Sequence, residues 1–159
     1  MIKLIALACD HGGFGLMREI KGHLDASGLA YKDFGTYNEE KCDYPEMAVR
    51  AARAISGGEC SSGILVCGTG AGMAITANKI PGIRAACCSD CFTAEMVRRH
   101  NDANIITLGS RVTGVGLALK IVDQFLSTGF DGGRHSLRVD MINALDAVRG
   151  AAAQGKEIR

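Results

Sequence analysis

Apolar and polar positions follow two alternating patterns along this chain, and together they predict a repeated strand–helix unit. Short uninterrupted apolar runs, typical of buried strands, alternate with segments whose apolar residues recur every three or four positions, as on a helix. The predicted strands are Ile2–Cys9, Leu29–Phe34, Gly63–Val66, Arg84–Cys88 and Ile105–Leu108. The predicted helices are Phe14–Leu24, Tyr44–Ile55, Ala71–Lys79, Phe92–His100, Gly114–Leu126 and Ser136–Val148.

Uninterrupted apolar strands separated by helices indicate a parallel sheet that is covered on both faces. The sequence therefore predicts an α/β protein with a doubly wound, Rossmann-like, five-stranded parallel sheet, helices on both faces and a C-terminal helix. Ligands of such folds bind at the carboxyl ends of the strands. Polar and small residues follow all five predicted strands at those ends: Asp10-His11-Gly12-Gly13, Gly35-Thr36, Cys67-Gly68-Thr69-Gly70, Ser89-Asp90-Cys91 and Gly109-Ser110-Arg111.

Composition narrows the class of protein. The chain has 159 residues, which predicts one domain over 1–150, and the polar segment 151–159 is expected to be a flexible tail. A net charge of +1 and the lack of a basic block argue against a nucleic-acid partner. No apolar run approaches the length of a membrane span, and the first one is too short for a signal peptide. We therefore expect a cytoplasmic protein with no membrane partner.

The segment Cys67-Gly68-Thr69-Gly70-Ala71-Gly72 is the strongest candidate for chemistry. It directly follows a buried strand and precedes a helix, so its backbone N–H groups form a concavity that attracts an anion. The same positive potential favours the thiolate form of Cys67. Met73 stands where a dinucleotide fingerprint needs glycine, and the Gly-Lys pair of a P-loop is missing. A tight turn without a ligand remains the alternative.

The other cysteines and the basic residues have structural alternatives. Cys88 and Cys91 form a CxxC pair, but seven scattered cysteines fit neither a disulfide framework nor a zinc site, so most are expected to be buried structural thiols. Arg134 and Arg138 would lie one helical turn apart and could bind a phosphate, or could simply form a solvated cationic face. Asp10 could cap a helix, and His100 could interact with a helix C-terminus.

Several segments along the chain together carry a resemblance to a known family: Cys9-Asp10-His11-Gly12-Gly13-Phe14, Asp43-Tyr44-Pro45, the segment from Gly63 to Gly72, Ala77-Asn78-Lys79, Arg99-His100-Asn101-Asp102-Ala103-Asn104, Leu108-Gly109-Ser110-Arg111 and Gly132-Gly133-Arg134-His135. They resemble type B ribose-5-phosphate isomerases and the related isomerases of allose 6-phosphate, galactose 6-phosphate and four-carbon sugar phosphates. The resemblance runs from about residue 2 to 148 in the family's order. It implies an aldose–ketose isomerase that works through an enediolate, with neither a metal nor an organic cofactor.

The resemblance also implies a role for each candidate site residue. Cys67 would be the base, Thr69 would move protons between the two oxygens, and His100 would assist ring opening. The backbone N–H groups of Gly68, Gly70, Ala71 and Gly72 would stabilise the oxyanion. Sugar hydroxyls would be held by Asp10, Tyr44 and Asn101, and the phosphate by His11, Arg111, Arg134 and Arg138. The expected partner is a small sugar phosphate, and the expected assembly is a homodimer or homotetramer whose site takes His100 from a neighbouring subunit. A non-catalytic sugar-phosphate binding module is the alternative from a different class.

Overall fold

The computed structural model describes residues 4–153 and contains a five-stranded parallel sheet with six helices. The strands are β1 (Ile5–Cys9), β2 (Tyr31–Asp33), β3 (Ser62–Cys67), β4 (Ala85–Cys87) and β5 (Ile105–Gly109). The helices are α1 (Phe14–Ala26), α2 (Tyr44–Ser56), α3 (Ala71–Ala77), α4 (Cys91–Asn101), α5 (Val115–Ser127) and α6 (Arg134–Ala153). The predicted class of fold and all eleven predicted elements are therefore confirmed.

The strands lie in the order β2-β1-β3-β5-β4, and all four pairings are parallel. Because a crossover between parallel strands is right-handed, its direction along the sheet decides which face its helix covers. The chain moves one way through α1 and α4 and the opposite way through α2 and α3. Helices α1 and α4, together with α5, accordingly cover one face, while α2 and α3 pack together on the other.

Two apolar cores result from this layering. Successive residues of β1 enter opposite cores: Leu7 and Cys9 face α1 and α5, whereas Ala6 and Ala8 face α2. The same alternation in β3 and β5 explains why their sequences read as continuous apolar runs. Within the described residues, no helix combines the length and hydropathy that a membrane span requires.

The largest differences from the predicted elements lie in the strand ends and the last helix. The edge strands β2 and β4 are shorter than predicted, because each pairs for only three residues. Strand β1 begins at Ile5, and positions 2 and 3 of the predicted strand lie outside the described residues. Helix α6 starts at Arg134 rather than Ser136, since the turn at Gly132 and Gly133, both with positive φ, ends directly before Arg134. The helix also continues to Ala153, so residues 151–153 are helical rather than part of a tail, and 154–159 lie outside the described residues.

Candidate active site

Three chain segments meet at the carboxyl edge of the sheet, between β1 and β3. This is the point where the chain direction switches, since β1 connects outward to β2 and β3 connects outward toward β4. The segments are tied together by backbone and side-chain hydrogen bonds: the Ser110 N–H donates to Cys67 O at 2.9 Å, and the Ser110 hydroxyl donates to Gly12 O at 2.6 Å. The predicted convergence of the loops after β1, β3 and β5 is therefore present in the fold.

Cys67 ends β3 inside this crevice, and its side chain is almost fully enclosed, with 5% exposure. The Gly70 N–H donates to the Cys67 sulfur at 3.2 Å, which favours negative charge on that atom. Gly70 has φ +81°, a left-handed conformation that L residues rarely adopt. The glycine at this position is therefore what lets the loop fold back over its own thiol.

Two further side chains hold the glycine loop, and neither was singled out from the sequence. The Thr107 hydroxyl, fully buried within β5, donates to Gly70 O at 2.8 Å. The Cys87 thiol donates to Thr69 O at 3.6 Å from the end of β4. The signal for Thr107 was available, because it is the one polar residue between Ile105 and Leu108. Most cysteines were expected to be buried, and four of the seven are; Cys87 is exposed because β4 is an edge strand.

Asp10, Gly68 and Arg111 surround Gly12. A Cβ atom placed on Gly12 would lie 3.4 Å from the Asp10 carboxylate, 3.7 Å from the Gly68 nitrogen and 3.9 Å from the Arg111 guanidinium. Asp10 is buried, and its Oδ1 accepts a hydrogen bond from the Gly13 N–H at 2.9 Å, so the alternative of a structural role at the start of α1 is also realised. An acceptor, a donor amide and a cation therefore share one small space.

Tyr44 and His11 complete this side of the site. The Tyr44 ring lies against Gly72, where a Cβ would approach two ring carbons to 2.7 and 2.8 Å. Only glycine permits this contact at the start of α3. The Nδ1 atom of His11 lies 3.3 Å from both the nitrogen and the carbonyl oxygen of Cys42, which connects the loop between β2 and α2 to the crevice. We call this group at the carboxyl edge the thiol cluster; it comprises Asp10, His11, Tyr44, Cys67 to Gly72 and Arg111.

The remaining predicted site residues, His100, Asn101, Arg134 and Arg138, form a second group. Together with His135, which was not predicted as a site residue, and Asp131 beside them, we call this group the histidine cluster. The His100 and His135 rings stack with centroids 4.3 Å apart and planes 5° from parallel. The Asp131 carboxylate accepts from the Arg99 guanidinium at 3.1 Å. Asn101 lines an open groove of about 300 Å³ between β4, α4 and α6, together with Arg84 and Ile142. As predicted, Arg134 and Arg138 lie one turn apart on one helix.

Within one chain the two clusters lie at opposite ends of the strands. The thiol cluster lies at the carboxyl ends, and the histidine cluster lies near the amino ends. Helix α4 leaves the carboxyl edge at Cys91 and runs back, so that His100 and Asn101 end near the start of β5. There the Gly63 N–H at the start of β3 donates to Asn104 O at 2.8 Å. Cys67 follows four residues later along an extended strand, about 13 Å away at roughly 3.3 Å per residue. The chain therefore does not bring His100 to its own Cys67.

The electrostatics of the histidine cluster favour an anion. Partial burial lowers the pKa of His135, and the neighbouring positive charges of His100, Arg134 and Arg138 lower it further, against the opposing effect of Asp131. Hydrogen bonding to Arg99 holds the pKa of Asp131 below its usual value, so this carboxylate is charged but already paired.

Donor atoms of His100, Asp131 and His135 lie within 4.8 Å of one another, a spacing that could suit a metal ion. However, the two histidine rings lie in nearly parallel planes, so their in-plane nitrogen lone pairs do not converge on one point. The surrounding arginines also oppose a cation. Phosphate, with its negative charge and several acceptor oxygens, is the better match for these groups.

Comparisons with known proteins identify the family. The family model described as Ribose/Galactose Isomerase matches residues 5–142, and the chain belongs to this family. A relative named ribose-5-phosphate isomerase B, from Escherichia coli strain K12, is 48% identical over 93% of this chain and 99% of its own. The solved structure of Clostridium thermocellum ribose-5-phosphate isomerase B superposes with a TM-score of 0.90 at 49% identity, covering 92% of this chain and 99% of that one. A relative from Clostridium sp. strain MSTE9, named 4-deoxy-4-sulfo-D-erythrose isomerase, is 42% identical over 79% of this chain and 80% of its own.

Proposed function

We propose that this chain interconverts ribose 5-phosphate and ribulose 5-phosphate through an enediolate, as a cytoplasmic enzyme with no metal or organic cofactor. The observation that carries the proposal is the enclosed Cys67 thiol, which accepts a hydrogen bond from the Gly70 N–H within the glycine loop. The family and the high identity to a named ribose-5-phosphate isomerase B support the choice of substrate.

Cys67 would act as the base. In the forward direction its thiolate takes the proton from C2 of the open-chain aldose, and the electron pair forms the C1–C2 double bond of the enediolate. The proton then returns to C1, while a proton moves between the two oxygens with the help of Thr69. The N–H groups of the loop from Gly68 to Gly72 would stabilise the developing oxyanion, and each such donor is typically worth about 3 kcal/mol.

The sugar phosphate would be held from both clusters. Asp10 and Tyr44 offer hydroxyl partners next to the thiol, and Asn101 offers one from the histidine cluster. His11 and Arg111 would contact the phosphate on one side, with Arg134 and Arg138 on the other. His100 would assist opening of the furanose ring, because an imidazole can donate or accept a proton near neutral pH.

A site of this kind requires two copies of the chain. The thiol cluster and the histidine cluster lie at opposite ends of the strands, so each active site would combine the thiol cluster of one subunit with the histidine cluster of another. Helix α6 supports this assembly, because exposed apolar side chains recur along it next to the two arginines: Leu137, Met141, Leu145 and Val148. A solvent-facing stripe of this kind on a soluble chain indicates a protein interface.

A second substrate has a specific observation in its favour. The relative named 4-deoxy-4-sulfo-D-erythrose isomerase shows that the family includes an enzyme named for a four-carbon, sulfonated sugar. The loop from Thr36 to Cys42 would set the length of sugar that fits, since it contacts His11 at the mouth of the crevice. Allose 6-phosphate and galactose 6-phosphate are the six-carbon alternatives.

The experiment that tests the proposal is a parallel assay of the purified protein with four-, five- and six-carbon aldose phosphates and with sulfoerythrose. We expect the highest kcat/KM for ribose 5-phosphate. A higher value for a four- or six-carbon sugar would change the substrate, and binding of all sugars without turnover of any would indicate a binding module instead.

The Cys67→Ala variant tests the role of the base separately. Its matched control is Cys91→Ala, which removes a half-buried thiol of α4. Loss of a base typically costs about 10²–10⁴-fold in rate. The variant should still bind ribose 5-phosphate, because the proposed phosphate contacts lie elsewhere. Turnover within about tenfold of the parent would rule out Cys67 as the base.

A further inference from the structure

His135 has no role in the proposed reaction, but its side chain contacts that of His100 within the histidine cluster. Its ring lies parallel to that of His100, with centroids 4.3 Å apart. The two residues come from different elements, the last turn of α4 and the first turn of α6. Both are half-buried. A stack between elements restricts the rotation of each ring more than a contact within one flexible segment would.

We infer that His135 is a positioning residue for His100, which holds the plane of the His100 ring. The inference rests on the proposed role of His100 in the reaction. A proton donor or acceptor must be oriented toward the atom it serves, and a misaligned group loses much of its effect.

The surroundings of His135 explain why it can fill this role. The groups around the stacked pair are Arg99 and His100 on α4, Asp131 in the preceding loop, and Arg134 and Arg138 on α6. Asp131 is the one carboxylate among them, and it is already bonded to Arg99. Two imidazolium ions stacked at 4.3 Å beside three arginines would repel each other strongly. Partial burial lowers the pKa of His135, and the positive charges of His100, Arg134 and Arg138 lower it further.

The test separates stacking from charge by comparing His135→Phe with His135→Ala, and uses His23→Phe as the control. Phenylalanine keeps an aromatic ring against His100 but cannot be protonated, whereas alanine removes both properties. His23 is a histidine on α1 that bonds Asp123 of α5, away from either cluster. We expect His135→Ala to lower kcat about tenfold or more, and His135→Phe to recover most of that loss. The control should match the parent.

A second readout is the separation of kcat from KM, with urea unfolding measured beside it. A misoriented His100 should lower kcat and leave KM for ribose 5-phosphate near the parent value. A purely structural role in packing α6 against α4 would lower stability without this selective loss of kcat. If both variants keep kcat within about twofold of the parent, the positioning role is wrong. If both variants have a lower kcat and a higher KM, and phenylalanine restores neither, His135 contacts the substrate instead.

The inference can fail separately from the proposed function. If the parent turns over none of the sugars, the proposed function is wrong, and the histidine resonances then test the pair alone. In proton NMR, the His100 ring signals should keep their ring-current shift in His135→Phe and lose it in His135→Ala. Unchanged His100 signals in His135→Ala would overturn the inference, whatever the activity.

Discussion

The thiol cluster and the histidine cluster are built in different ways, although both are proposed to act on one substrate. The thiol cluster consists of strand ends and backbone groups, and hydrogen bonds from Ser110, Thr107 and Gly70 hold it within one chain. The histidine cluster consists of side chains on two helices, several of them exposed. The first is therefore preorganised by the sheet itself, while the second depends on side-chain contacts and, in our proposal, on a partner subunit.

The largest effect is expected when one variant inactivates the thiol cluster and a second variant inactivates the histidine cluster. Cys67→Ala and His100→Ala should each be nearly inactive, with losses of about 10²–10⁴-fold. A mixture of the two should recover activity. Random exchange makes about half of the dimers hybrids, each with one intact site of two, so about a quarter of the parent rate should return. Specific activity is measured after subunit exchange, and native mass spectrometry monitors the formation of hybrid dimers.

The control for this mixture pairs Cys67→Ala with the double variant Cys67→Ala/His100→Ala, in which no combination contains an intact thiol. Recovery there would indicate contamination. If hybrids form and the first mixture stays inactive, the site is built within one chain, and the proposal of a composite site fails.

A smaller effect is expected at the phosphate contacts of the histidine cluster. Arg138→Ala should raise KM for ribose 5-phosphate and weaken inhibition by inorganic phosphate, because it removes a charge-assisted hydrogen bond worth about 1.5–3 kcal/mol. That corresponds to roughly tenfold or more. Steady-state kinetics with increasing phosphate measure both quantities. Arg18→Ala, on the exposed side of α1, serves as the control, and equal KM values in the two variants would contradict the assignment of Arg138.

The support of the thiol cluster should be measurable in stability. Thr107→Val removes the donor to Gly70 O and leaves a buried carbonyl without that partner, so the free energy of unfolding should fall by about 1–3 kcal/mol. Thr107→Ser keeps the hydroxyl and should lose less. Urea unfolding gives the stability, and kcat should fall severalfold only in the valine variant. Identical unfolding curves for valine and parent would show that the bond contributes nothing.

The smallest expected effect is on the pH dependence of stability, through the Asp131 carboxylate of the histidine cluster. The pKa of Asp131 is lowered in the folded protein by its hydrogen bond to Arg99, so its contribution is present above the unfolded value and is lost as pH falls through the folded one. Asp131→Asn should therefore unfold at slightly lower urea than the parent at neutral pH, and the difference should vanish in strong acid. Asp140→Asn, on the exposed surface of α6, is the matched control. A difference that persists unchanged at low pH would contradict the ion pair.

Local patterns were enough to predict the elements and the class of fold, because buried strands and amphipathic helices differ in period. They did not determine the strand order, which depends on long-range pairing: β4 lies outside β5 rather than next to β3. That order is what exposes Cys87 and sets the length of β4. It also brings Cys87 to the glycine loop from a separate element, so no local pattern could predict this contact.

The candidate site was predicted more completely at the carboxyl edge than elsewhere. Asp10 directly follows β1, Cys67 ends β3 and Arg111 lies two residues after β5. The carboxyl ends of parallel strands must meet on one side of the sheet. His135 was missed as a contact of His100, because nothing in the spacing of positions 100 and 135 places two helix ends together. Thr107 could have been found as the polar exception in an apolar strand.

The His11–Cys42 contact has a consequence for how such a chain can diverge. The segment from Thr36 to Cys42 pairs with no strand, so residues can be inserted or removed there without shifting any register in the sheet. A one-residue insertion in β3 or β5, by contrast, would turn every side chain downstream to the other face. Gene duplication followed by length changes in this single loop would thus create enzymes for shorter or longer sugars while the proton-transfer machinery is inherited intact.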